Sequence, residues 1–171
     1  MMKKIIAALF VLVLLVFFPA SSSIGQFIPN APFKAAYTYA LDFSLKDLQG
    51  NVFQLSNHRG KSVVIFFGTT WCPSCRSELP LYKEIYNTYA KYDMEVIYIN
   101  IMEPQEKVAK FAKANSLPFR ILLDKDGEVA THYAVVGVPT LVLIDQEGKI
   151  IKKTHRTADL NLLLKKLFPA K

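Results

Sequence analysis

Cys72 and Cys75 are the only cysteines in the 171-residue chain, and they stand together in Trp71-Cys72-Pro73-Ser74-Cys75. Two thiols at this spacing support disulfide exchange. One thiolate attacks a disulfide, and the second sulfur releases the mixed disulfide that results. The apolar run Ser62 to Gly68 precedes the pair, and a helix-like segment follows from Arg76. The pair therefore falls at a strand-to-helix junction, where the positive end of a helix dipole favours a thiolate. Cys72 is expected to be exposed and to attack; Cys75, about one turn on, is expected to be more buried and to resolve. Pro73 fixes φ and removes a donor, and Ser74 is small and uncharged. A structural disulfide is the inert alternative, which the position of the pair argues against. Two sulfurs without a second Cys pair do not complete a metal site, so no metal is expected. His58, His132 and His155 read as surface or loop residues.

Chain length and an apolar content of 51% fit one domain with a proper core behind the N-terminus. The net charge of +7 is spread along the sequence, without an arginine cluster or interleaved aromatics, so nucleic acid is not an expected partner. Met1 to Lys4 is a cationic start, Ile5 to Phe18 has no polar residue, and Pro19 to Ser23 is small and polar. That order marks residues 1–25 as a signal peptide or an N-terminal membrane anchor. The run is shorter than the ~20 residues of a comfortable span, which leaves cleavage and anchoring both open. No cysteine follows it for lipid attachment. An extracytoplasmic location is expected, in a periplasm or at the outer face of the cytoplasmic membrane. Membrane contact would pass through the N-terminal segment alone.

Residues 26–35, with Pro29 and Pro32, read as a linker, and 36–171 as the domain. Leu41 to Leu45 and Val52 to Leu55 alternate around a turn at Lys46–Asn51, predicting a β-hairpin. Ser62 to Phe67 is a buried strand. A helix from Pro73 to about Tyr92 contains Pro80, which is expected to kink it. Glu95 to Ile101 is the next strand, and a helix runs from Pro104 to Asn115. Ile121 to Leu123 is a short strand, and Glu128 to Tyr133 one or two helical turns. Thr140 to Ile144 and Lys149 to Lys153 form a second hairpin. Asp159 to Phe168 closes the chain as an amphipathic helix with Thr157 as a candidate N-cap. The order implies an α/β fold, with a central mixed β-sheet flanked by helices.

A second constellation is Val135-Val136-Gly137-Val138-Pro139-Thr140, just before an apolar strand. Proline is confined to the start of such a strand, and a cis Val138–Pro139 bond is expected. Together with Phe43 to Gly50, Val63 to Pro80, Leu117 to Asp124 and Gly137 to Asp145, these residues resemble the TlpA/ResA-like group of exported, thioredoxin-fold disulfide reductases. The resemblance covers roughly residues 36 to 171.

It implies a thioredoxin-like fold with an N-terminal β-hairpin extension. It also implies that cis Pro139 lies against the cysteine pair and that the backbone of Val138 receives an extended substrate segment. Trp71 matches the family's tryptophan before the first cysteine. Glu78 matches its acid three residues after the second, which would tune the thiols or move a proton; a solvent-facing helix residue is the alternative for Glu78. Two positions depart from the family pattern. Phe66 stands where many relatives carry Asp or Asn six residues before the first cysteine. Thr140 stands where a haem-maturation branch often has an acid after the proline.

The implied activity is reduction of protein disulfides by a monomer without a cofactor. Apocytochrome c is the candidate substrate, and a membrane thiol-electron transporter the donor. Three alternatives stay open: a disulfide-forming oxidase, a thiol peroxidase on Thr69-Thr70-Trp71-Cys72 (whose expected proline is Ile65 here), and a copper-binding or metal-delivery module on the same fold.

Overall fold

The computed structural model describes residues 39–169; the expected signal or anchor and the linker lie outside them. Seven strands form one mixed sheet. They are β1 (Ser44–Asp47), β2 (Val52–Gln54), β3 (Ser62–Gly68), β4 (Met94–Ile101), β5 (Arg120–Asp124), β6 (Thr140–Ile144) and β7 (Ile150–Thr154). Their spatial order is β2-β1-β5-β4-β3-β6-β7. The centre, β5-β4-β3, is parallel, and both flanks are antiparallel. Among the described residues, four α-helices complete the fold: α1 (Pro73–Tyr89), α2 (Gln105–Ala114), α3 (Glu128–His132) and α4 (Thr157–Leu167).

The centre of the sheet is buried on both faces, which explains the unbroken apolar run of β3. Val64 and Phe66 point into one core with Leu79, Tyr82 and Ile85 of α1, Val108 of α2, and Leu160 and Leu164 of α4. Val63, Ile65 and Phe67 point into the other, with Phe43, Phe53, and Val129 and Ala130 of α3. On the first face Phe66 stacks on Tyr82 with ring centroids 4.1 Å apart.

Several expected boundaries move, each for a local reason. The first strand starts at Ser44 and runs on to Asp47, whose carboxylate accepts the amides of Gln49 and Asn51 and so draws the turn to Leu48–Asn51. Helix α1 continues past Pro80 but ends at Tyr89, three residues before the expected Tyr92. Pro104 is the N-cap of α2, not its first residue. Thr157 is not the N-cap of α4. Arg156 holds that position with extended backbone, and Thr157 is the buried first helical residue. Two non-glycine residues with left-handed backbone, Met102 (φ 53°) and Ala134 (φ 49°), turn the chain just after β4 and α3. Both turns lie beside the segments that carry the candidate site.

Candidate active site

The parallel strands β3 and β4 end at the same edge of the sheet, where sites in open α/β folds gather. Past Gly68, the loop Thr69–Trp71 delivers Cys72 to the N-cap of α1, with Pro73 in the first helical turn. The Cys75 amide, one of the helix's otherwise unpaired N–H groups, donates to Cys72 Sγ at 3.3 Å. Both cysteines are free thiols. On the opposite side the Val138–Pro139 peptide bond is cis, and the Cys72 thiol donates to the Val138 carbonyl at 3.6 Å. Cys72, Cys75, Val138 and Pro139 thus converge.

Cys72 is not exposed as expected: only 6% of it meets solvent. The Val138 carbonyl covers its sulfur while the neighbouring Trp71 turns outward, 63% exposed. Cys75 lies deeper, at 1% exposure. Burial pushes its thiol up to about 12; a hydrogen bond to Cys72 adds to the rise, and the Thr69 backbone opposes it. Beside the pair, Met102, Val135, Val136 and Val138 line an open apolar groove of about 310 Å³.

Glu78, three residues past Cys75, is half-buried, and its Oε2 is shut from solvent with no hydrogen-bond partner among the described residues. The solvent-facing alternative for this carboxylate does not describe it. Phe66 is fully buried and contributes only its ring.

Three residues that sequence reasoning missed hold the two active segments in place. Glu103, delivered by the Met102 turn, is buried and accepts four hydrogen bonds. Oε1 takes the Thr70 hydroxyl at 2.6 Å and Lys107 Nζ at 2.7 Å; Oε2 takes the Thr70 amide at 2.6 Å and Asn100 Nδ2 at 2.9 Å. Burial alone would raise the pKa of this carboxyl, but bonds from Lys107, Thr70 and Asn100 outweigh burial and hold it below its ordinary value. Glu103 thereby pins the loop that leads into Cys72.

The segment before Pro139 is held from β7. Lys153 Nζ donates to the carbonyls of Tyr133 and Ala134 at 2.7 and 2.6 Å. His155 Nδ1 lies 2.9 Å from the Pro139 carbonyl and 3.1 Å from Thr140 Oγ1, which itself donates to Gly137. A carbonyl only accepts, so the proton sits on Nδ1. His155 was read from sequence as a surface residue; it is exposed, yet it braces the cis-proline segment. Glu103 could have been found from its place just after a parallel strand's carboxyl end. Lys153, on an edge strand, and His155, just past its end, carried no such signal. No three His, Cys, Asp or Glu side chains gather into a metal-binding group among the described residues.

Comparison with known proteins agrees with this geometry. Residues 38–153 match the AhpC/TSA family. The thiol-disulfide oxidoreductase ResA of Geobacillus thermodenitrificans is 41% identical over 113 residues, 66% of this chain and 65% of that protein. The chain therefore spans just under two thirds of that relative's length. ResA of Bacillus thuringiensis subsp. konkukian is 36% identical over 133 residues, covering 76% of this chain and 77% of its own. Among solved structures, the thioredoxin domain of a thiol-disulfide oxidoreductase from Bacteroides vulgatus superposes with a TM-score of 0.70 at 29% identity, covering 75% of this chain and 94% of the other. A cysteine pair at a helix N-terminus facing a cis proline, on a sheet of this topology and with these relatives, places the chain in the ResA-like, thioredoxin-fold branch of the AhpC/TSA family.

Proposed function

We propose that the protein is an exported thiol-disulfide oxidoreductase that reduces protein disulfides with Cys72 as nucleophile and Cys75 as resolving thiol. The observation that carries this reading is the asymmetry of the pair. A helix amide and the helix dipole act on Cys72 Sγ, while Cys75 is buried and held protonated. In the first step the Cys72 thiolate attacks one sulfur of a substrate disulfide. A Cys72–substrate S–S bond forms, and the second substrate sulfur leaves as a thiolate and takes up a proton from solvent. In the next step Cys75 loses its proton to the Glu78 carboxylate and attacks Cys72 Sγ. The Cys72–substrate bond breaks, its electron pair leaves on the substrate sulfur, and the protein is left with a Cys72–Cys75 disulfide. Two electrons pass to the substrate in each cycle, and a membrane thiol-electron transporter returns them.

The substrate lies as an extended segment against the Val138 backbone, beside Pro139, with an apolar side chain in the neighbouring groove and the exposed Trp71 offering further apolar contact next to Cys72. Apocytochrome c is the proposed natural substrate, since haem attachment needs free thiols. A reduction potential below about −220 mV would suit this reductant role, against about −120 mV for the strong oxidant DsbA.

Trapping tests the assignment of roles. Cys75→Ser is expected to accumulate mixed disulfides with a disulfide-containing protein on a non-reducing gel, and Cys72→Ser to form none. Trapping by Cys72→Ser instead would reverse the roles. Peroxide consumption without disulfide reduction would replace the reading with a peroxidase.

A further inference from the structure

The sulfur of Cys75 must carry negative charge in the resolving step, yet the side chains around it offer little to receive that charge. On α1 it lies beside Cys72 and near Tyr82, which in turn neighbours Glu78; on β4 it lies near Tyr98, which in turn neighbours Glu103. Gly68 of β3 adds no side chain beside the sulfur, and Phe66 and Thr157, which flank Tyr82, add nothing titratable. None of these groups is a cation. The residue on β3 that many relatives make acidic or amide is Phe66, whose ring stacks on Tyr82.

Tyr98 occupies the gap. A methyl group built on Gly68 would overlap the Tyr98 hydroxyl and sit 3.2 Å from Cys75 Sγ. Hydroxyl and sulfur therefore flank the same point and are neighbours across that glycine. Only a residue without a side chain at position 68 admits a phenol there. The Tyr98 hydroxyl is buried, with no hydrogen-bond partner among the described residues. Leaving such a group unpaired costs about 1–3 kcal/mol, so its persistence calls for a reason. A phenylalanine would fill the same space without that cost, and the ring already packs on Phe119 and Tyr82.

We infer that Tyr98 is the hydrogen-bond donor to the Cys75 thiolate, receiving from β4 the role that Phe66 leaves vacant on β3. The inference rests on the proposed resolving role of Cys75. Burial, together with the nearby Cys75, pushes the Tyr98 phenol far above the ordinary tyrosine value. It therefore keeps its proton and acts as a donor throughout the cycle. Glu78 takes the thiol proton, Tyr98 steadies the anion left behind, and no proton leaves the phenol.

Tyr98→Phe in the full chain removes the hydroxyl and keeps the ring. Single-turnover kinetics with a disulfide peptide separate formation of the Cys72 mixed disulfide from its resolution. The first phase is expected to be unchanged and the second to slow tenfold or more. In a Cys72→Ser background, the thiolate absorbance of Cys75 is expected to rise at least one pH unit later in Tyr98→Phe than in its parent. A merely structural tyrosine would move neither readout. Unchanged resolution and unchanged titration in a folded Tyr98→Phe protein would overturn the inference. Gly68→Ala provides a second variant should Tyr98→Phe fold poorly, because its methyl displaces the hydroxyl while keeping the phenol in the protein. It is expected to slow the second phase as well, and a normal second phase there would also refute the role. If the wild-type protein shows no first phase, it is the reductase reading that fails.

Discussion

Removing the Glu103 carboxylate charge tests whether this one side chain fixes the loop that presents Cys72. Glu103→Gln is nearly isosteric, but its amide nitrogen replaces an acceptor with a donor. Of the three buried donors that converge on Glu103, the Thr70 amide, the Thr70 hydroxyl and Asn100 Nδ2, at least one then meets an N–H. A buried donor left unpaired costs about 1–3 kcal/mol, and bonds to a charged acceptor lie at the upper end. The Lys107 pair adds little, because its ammonium is half-exposed and already solvated. The expected loss is about 2–3 kcal/mol in urea unfolding of the reduced protein, with the m-value unchanged. The sign of the pH dependence follows from the lowered native value of Glu103. Its contribution is complete above the unfolded carboxyl range, near 4.3, and is lost as pH falls through the depressed native value. Wild-type stability should therefore decline below about pH 4.3 by an increment that Glu103→Gln lacks. Alkylation of Cys72 should also lose its regular rate, since the loop from Thr69 to Trp71 is no longer pinned. A Glu103→Gln protein within 0.5 kcal/mol of wild type at pH 7, with the same acid limb, would refute the role given to this carboxylate.

Two further outcomes follow from the same geometry. Lys153→Met removes the donor that holds the Tyr133 and Ala134 carbonyls, and His155→Ala the donor to Pro139. Each should raise KM for a protein disulfide severalfold with little change in kcat, and steady-state kinetics would show a kcat effect instead if the brace acted on the thiols. The raised value of Cys75, about 12, predicts a linkage at high pH. The folded state holds this proton more tightly than the unfolded chain, so the contribution is complete below the ordinary thiol value, about 8.5, and is lost as pH rises toward 12. Denaturation midpoints of wild type and Cys75→Ser should therefore converge across that window.

The parts of this fold that were legible in the sequence are those built from local pattern. The all-apolar stretch Ser62 to Gly68 and the alternating pairs before and after it announce strands through side-chain type alone. The cysteine pair and the proline at position 139 are likewise visible, because each needs only its immediate neighbours. Residues that act across the fold were not legible. Glu103 reaches Thr70 over 33 residues, and His155 reaches Pro139 over 16; the place of Glu103 after a parallel strand marks it only as a site candidate, and nothing around His155 in the sequence distinguishes it from a surface polar residue. The expected exposure of Cys72 failed for the same reason. What covers its sulfur is the Val138 carbonyl, 66 residues away, not anything within the motif.

The most economical account of the site treats its two thiols as products of opposite physical environments one helical turn apart. Cys72 ends the loop and receives a backbone amide, so charge at its sulfur is met by a dipole that needs no reorganisation. Cys75 receives burial, which would halt the cycle if it acted alone, because a sulfur held protonated to about 12 rarely attacks at neutral pH. A working resolving step therefore requires a base and a donor close to Cys75. Among the described residues, Glu78 has a buried carboxylate oxygen without a partner, and Tyr98, the neighbour of the sulfur across Gly68, is one of the buried hydroxyls without one. Under the proposed mechanism, the reaction accounts for the cost that both unpaired groups impose on the fold. If the Glu78→Gln, Tyr98→Phe double variant resolved mixed disulfides at the wild-type rate, the charge on Cys75 would have to be met by solvent. The burial of that sulfur would then have no mechanistic purpose.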